Sequence, residues 1–126
     1  MKKVVVTDKA PAAIGPYSQG VWAGSFLFLS GQIPLDPVKG ALVGTTAAEQ
    51  AEQVFRNIEG ALESQGLTFG NVVKATVFAK NMEDFGAINE VYATRFSAEP
   101  PARSFVEVAR LPKDVLVEIE VIAYRP

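Results

Sequence analysis

The apolar residues of this chain change period along its length, and the order of those changes limits the fold more than any single residue does. Ala51, Val54, Phe55, Ile58 and Leu62 recur at three- and four-residue steps, the mark of a helix with one buried stripe. Thr46-Ala-Ala-Glu49 precedes them with capping-box spacing, and Gly66 can take the left-handed conformation that ends a helix, so a helix is predicted over Ala47–Gln65. Val72–Lys80 alternates as a strand, with Val73, Ala75, Val77 and Ala79 on one face and Lys74, Thr76 and Phe78 on the other. The helical period returns over Met82–Phe96, capped by Asn81, with Phe85, Ile88, Tyr92 and Phe96 on the apolar stripe and Asn89 among them. Glu99-Pro100-Pro101 stops that helix, and Arg103–Val108 and Val115–Tyr124 form the last two strands around a turn containing Pro112.

Ahead of the first helix, Val4–Val6 is a short strand and "DKAPAAIGPYSQG" a loop, because its prolines and glycines cannot continue a ladder. Gln19–Ala23 and Phe26–Gly31 flank Gly24-Ser25 as a hairpin. The order is βββαβαββ. Each helix has one stripe to bury, so both pack on one face of a mixed β-sheet, an α+β architecture within a single domain spanning residues 1–126. No third helix covers the opposite face, which predicts self-association as a closed symmetric oligomer.

A hydrophobic share of 48% with 21% charged residues excludes a disordered chain. The run Phe26–Leu29 falls far short of the roughly 20 residues of a membrane span, and the start "MKKVVVTDKA" is charged again at once. A cytoplasmic location without a membrane partner is expected. The net charge of −2 with no basic block argues against a nucleic-acid partner. With no Cys and no His, thiol nucleophiles, Ser-His-Asp triads and His- or Cys-based zinc sites are excluded. Proton transfer near neutral pH then falls to a carboxylate, a lysine, a tyrosine or a held water.

The carboxylates that stand out are Glu118 and Glu120, which share one strand face with Leu116 and Ile122. Two readings stand for them: solvated or edge-protecting charges, or a general base in a partly dry cleft. Arg103, at the mouth of its strand, either clamps a carboxylate through its planar guanidinium or makes a surface ion pair. Tyr17 in "IGPYSQG" either packs or presents a ring to a ligand, and Asn89 either makes a structural hydrogen bond or touches one. Gly31, after Ser30 in "LSGQIP", allows close approach to the backbone, while the absence of Gly-x-Ser-x-Gly argues against Ser30 as a hydrolase nucleophile.

Taken together, "APAAIGPYSQG", "SGQIP", "VVKATVFAKNMEDFGAINEVY" and "PPARSFVEVARLPKDVLVEIEVIA" resemble the RidA family, also called YjgF/YER057c/UK114, over nearly the whole chain. The resemblance implies a chorismate-mutase-like fold, a homotrimer with sites between subunits, and hydrolysis of 2-imino acids and their enamine tautomers, such as 2-iminopropanoate and 2-iminobutanoate, to 2-keto acids and ammonia. It implies that Arg103 binds the substrate carboxylate, that Glu118 rather than Glu120 positions the attacking water, and that Tyr17, Ser30, Gly31 and Asn89 line the site. Phe105 departs from the cysteine of many members, which bears on pocket size and substrate preference. No metal or organic cofactor is expected. Two alternatives differ in class: a non-enzymatic module that binds a small carboxylate and regulates a partner, and RNA cleavage or translation inhibition, which the missing histidine and the negative charge disfavour.

Overall fold

Six strands form one mixed sheet in the computed structural model, which describes residues 2–126. Along the chain run β1 (Lys3–Val5), β2 (Gly20–Ala23), β3 (Phe26–Leu29), α1 (Ala47–Ser64), β4 (Val72–Ala79), α2 (Phe85–Ala93), β5 (Ala102–Glu107) and β6 (Val117–Tyr124), the order read from the sequence. Their spatial order is β1-β2-β3-β6-β4-β5. Neighbours are antiparallel except β4 and β5, which run parallel because α2 carries the chain back across the sheet between them.

Local chemistry sets the element ends. The Thr46 side chain accepts from Glu49 N at 3.2 Å while Glu49 Oε1 accepts from Thr46 N at 3.1 Å, the reciprocal cap read from the spacing. Gly24, at φ +59°, supplies the positive dihedral of the β2–β3 hairpin turn. The loop between β1 and β2 is held by buried Gln19, whose Nε2 donates to the carbonyls of Thr7 and Pro11 at 2.9 and 2.8 Å and whose Oε1 accepts from Thr7 N at 2.7 Å.

Both helices pack on one face. Val117, Ile119 and Val121 of β6 and Ala75, Val77 and Ala79 of β4 meet Val54, Phe55, Ile58 and Leu62 of α1, each at most 1% exposed. Full burial of each large side chain stabilises by about 1.5–3 kcal/mol, so this layer supplies the main driving force. The opposite face has no cover: Phe26 and Phe28 are 44% and 45% exposed, and the Phe26 ring lies 5.1 Å from that of Tyr124.

Four local readings change. A bulge between Val72 and Lys74 turns Val72 toward the helices and leaves Val73 exposed, so Val73 does not share the face of Ala75. Asn81 makes no side-chain cap; Met82 N instead donates to Glu107 Oε1 at 2.8 Å, a carboxylate brought close by the β4–β5 pairing. The second helix opens with a 3₁₀ turn over Met82–Asp84 and ends at Ala93, while Phe96 lies beyond it and is still buried. β6 also starts later than predicted, at Val117, because Lys113 and Asp114 adopt positive φ and Val115 packs with Leu111, Ile33 and Leu35 in a satellite cluster.

Arg95, just after α2, ties the helices together. Its Nη1 and Nη2 donate to Glu52 Oε1 and Oε2 at 2.7 and 2.5 Å. That fork holds the Glu52 carboxyl down at about 2. A carboxylate with a depressed folded pKa adds stability that is present above its unfolded pKa and lost as the pH falls through the folded one. With the Glu52 side chain 37% exposed, solvent screening limits the gain. Glu52→Gln is therefore expected to cost about 0.5–1 kcal/mol at pH 7, the gap narrowing from pH 4.5 toward 2, as urea unfolding at several pH values measures.

Candidate functional site

β5 is an edge strand, and its parallel register places Arg103 beside Ala75 and Phe105 beside Val77, on the face toward the helices. There α2 lies over them. Arg103 Nη1 donates to Asn89 Oδ1 at 2.6 Å, which explains the amide on an otherwise apolar stripe. The guanidinium carbon lies 4.7 Å from the Tyr92 ring centroid, 5.4 Å from that of Phe105 and 5.8 Å from that of Phe85. Among the described residues, no carboxylate pairs with it. One of five donors is used, so a positive fork held in place by an amide and three rings stays free for an anion. Beside it opens a cavity of about 410 Å³ lined by Asn89, Tyr92, Phe96, Pro101 and Arg103.

Glu118 stands elsewhere. It projects from β6 on the open face, opposite Phe78, where desolvation first and the charge of Glu120 second push its carboxyl above the ordinary carboxylate range. Gly31 packs against it so tightly that any Cβ there would overlap Glu118 Oε2. The segment carrying Gly31 is pinned to β6 by Gln32 N donating to Ile119 O at 2.8 Å and Ile119 N to Gln32 O at 3.1 Å.

Tyr17 and Ser30 line a third place, an open-face cleft of about 530 Å³ that also includes Lys74, Thr76 and Glu120. Ser30 Oγ donates to Ser18 O at 2.6 Å, and Tyr17 Oη accepts from Ile14 N at 3.1 Å. The hydroxyls therefore fix the loop, while the Tyr17 ring remains 48% exposed. Glu120, which the resemblance passes over in favour of Glu118, is exposed in this cleft. Among the described residues, no group of three or more acidic side chains is placed to hold a metal.

The candidate residues thus form two sets rather than one. Arg103, Asn89 and Phe105 meet on the helix side; Gly31 and Glu118 meet on the open side, next to the cleft of Tyr17 and Ser30. Arg103 is two strands from β6, and its register partner Ala75 pairs with Val121, three residues from Glu118. At about 4.8 Å per strand and 3.3 Å per residue their backbones are roughly 14 Å apart, with side chains pointing to opposite faces. Sequence reading missed Phe85 and Tyr92 as walls around Arg103, although both stand one turn from Asn89 on the helix it had drawn. It also missed Lys74 and Thr76, whose strand face was assigned with nothing to say what they adjoin.

Fold and site define an α+β protein with one unpaired, half-buried cation at a sheet edge and one half-buried carboxylate on the bare face of the same sheet. The chain belongs to the RidA/YjgF family: the family model described as endoribonuclease L-PSP matches residues 7–125. It is 53% identical over 125 residues to a RutC family protein of Pyrococcus horikoshii, covering 99% of each chain. It is 52% identical over 128 residues to the 2-iminobutanoate/2-iminopropanoate deaminase of Salmonella typhimurium, again covering 99% of each. The structure of E. coli TdcF with bound serine superposes with a TM-score of 0.93 at 46% identity, over 98% of this chain and 99% of that one.

Proposed function

We propose that this protein hydrolyses reactive 2-imino acids, and their enamine tautomers, to 2-keto acids and ammonia. The observation that carries the reading is the unpaired Arg103 fork, fixed by Asn89 at 2.6 Å and flanked by aromatic rings, a receptor shaped for a planar carboxylate. The deaminase name of a 52% identical relative supports the same chemistry.

In this mechanism Arg103 holds the carboxylate of R–C(=NH)–COO⁻ and so orients the adjacent C=N carbon. A water held by Glu118 attacks that carbon; its oxygen forms the new C–O bond and its proton passes through Glu118 to the nitrogen. Glu118 then takes the remaining hydroxyl proton of the resulting R–C(OH)(NH₂)–COO⁻ adduct and passes it to the amine nitrogen; as the C=O bond forms, the C–N bond breaks with its electron pair on nitrogen, releasing NH₃ and leaving R–CO–COO⁻. With neither His nor Cys in the chain, Glu118 is the carboxylate whose surroundings suit it to that proton, since a raised pKa makes it a stronger base. An imine is already electrophilic, so orientation and water activation suffice, with no metal or cofactor step.

A carboxylate and its neighbouring carbon are one bond apart, so Arg103 and Glu118 of the same chain cannot both serve one substrate across roughly 14 Å. The bare apolar sheet face supplies the remedy: copies pack through it as a homotrimer, and Arg103 of one subunit faces Glu118 of the next. Keto-acid release from a threonine dehydratase assay tests the activity: purified protein accelerates it and Arg103→Ala does not. No acceleration would sink the reading.

A second reading has its own support. The Arg103–Asn89 receptor is complete within one chain, whereas the water-holding carboxylate is remote from it, so a single chain is equipped to bind a small carboxylate without turning it over. Calorimetric binding of a 2-keto acid without hydrolysis of the matching imine would favour that regulatory role.

A further inference from the structure

Phe85 is 42% exposed, an unusual place for a phenyl ring at the start of a helix, and it meets Phe105 edge-on with centroids 4.7 Å apart. Phe105 also packs against the main core, where Phe55, Phe69, Tyr92 and Phe96 stack among themselves, so the pair bridges the core and the surroundings of Arg103. Both rings lie within 6 Å of the guanidinium carbon, at 5.8 and 5.4 Å. With N–H···O contacts of about 2.8 Å, a carboxylate on the free edge of Arg103 sets the next carbon roughly 5–6 Å from the same guanidinium carbon. Both ring centroids lie at that same distance from the guanidinium carbon.

Resting on the reading of Arg103 as the carboxylate receptor, we infer that Phe85 and Phe105 form the subsite for the substrate's side chain, and that they select 2-imino acids with large apolar side chains, such as those derived from leucine or phenylalanine, over 2-iminopropanoate. The rings do this in two ways. Their exposed edges gain burial only when an apolar group covers them, and a methyl group is too small to reach both. Their T-shaped contact fixes the shape of the surface, so the subsite is formed before the substrate arrives.

The test generates imines in place with an L-amino-acid oxidase acting on leucine or alanine, and compares kcat/KM for the two in wild type, Phe85→Ala, Phe105→Ala and Phe105→Leu. The wild type favours the leucine-derived imine. That ratio falls about tenfold in Phe85→Ala, and similarly in Phe105→Ala, with Phe105→Leu recovering most of it. Phe85→Ala keeps the test sharp should Phe105→Ala fold poorly, because the Phe85 ring is more exposed than that of Phe105, which packs against the main core. A ratio that stays constant, or that rises because Phe105 had been an obstructing wall, overturns the inference, as does a Phe85→Ala chain that changes its oligomeric mass by light scattering at constant ratio. Hydrolysis of neither imine defeats the deaminase reading instead. The subsite then still predicts tighter calorimetric binding of 4-methyl-2-oxopentanoate than of pyruvate, and equal affinities overturn it.

Discussion

Co-expressed Arg103→Ala and Glu118→Gln chains are expected to recover about one quarter of wild-type deaminase activity, although each variant alone loses roughly a thousandfold. The quarter follows from chance assembly in equal amounts: a site needs an intact Arg103 from one subunit, probability one half, and an intact Glu118 from its neighbour, probability one half. In the proposed mechanism the single losses are large because Arg103→Ala removes the group that fixes the reacting carbon, and Glu118→Gln removes the base while leaving its shape. Were both residues to act within one chain, no mixed assembly would regain activity. The opposite faces and the roughly 14 Å separation exclude the single-chain arrangement for any substrate in which carboxylate and imine are adjacent.

Gly31→Ala is expected to lower turnover about a hundredfold while leaving the fold intact. A Cβ at this position overlaps Glu118 Oε2, the far end of a side chain that can rotate away, and so the carboxylate moves rather than the sheet. Displacing a water-activating group by about 1 Å costs about a hundredfold in rate. Binding of a keto acid to the Arg103 receptor is expected to persist in the variant, so calorimetry and kinetics part company. Loss of both together, with a lowered melting temperature, would mean that Gly31 matters for folding and not for Glu118.

The same carboxylate shapes the pH profile. In the proposed mechanism Glu118 takes a proton from water and so must be ionised, and its pKa is raised by desolvation first and by Glu120 second. The acid limb of kcat/KM is therefore expected above the usual carboxylate range, and Glu120→Gln moves it to lower pH by removing one of the two causes. For stability the sign is the reverse of that at Glu52. A carboxyl with a raised folded pKa holds its proton more tightly when folded, so its contribution is greatest below the unfolded pKa and declines as the pH rises through the folded one.

The sequence by itself determined the element order, because the period of the apolar residues is a local property that sterics and backbone geometry translate directly into helix or strand. It also determined the reciprocal Thr46–Glu49 cap, and it placed Glu118 and Glu120 together on a face separate from that of Val117, Ile119 and Val121. It singled out Asn89 as a misfit on an apolar stripe without identifying a partner. Other features depended on residues remote in the chain. Glu107 takes the capping place proposed for Asn81 because strand pairing brings it there, and one unpaired residue in β4 turns Val73 outward. Glu118 differs from Glu120 because Gly31, far away in sequence, packs on it, while Glu120 stays exposed. Above all, only the tertiary structure separated Arg103 from Glu118. Alternation gives each strand two faces but cannot say which of them the helices will cover, and strand order, a matter of long-range pairing, sets the distance within one chain between residues that the resemblance assigns to a site between subunits.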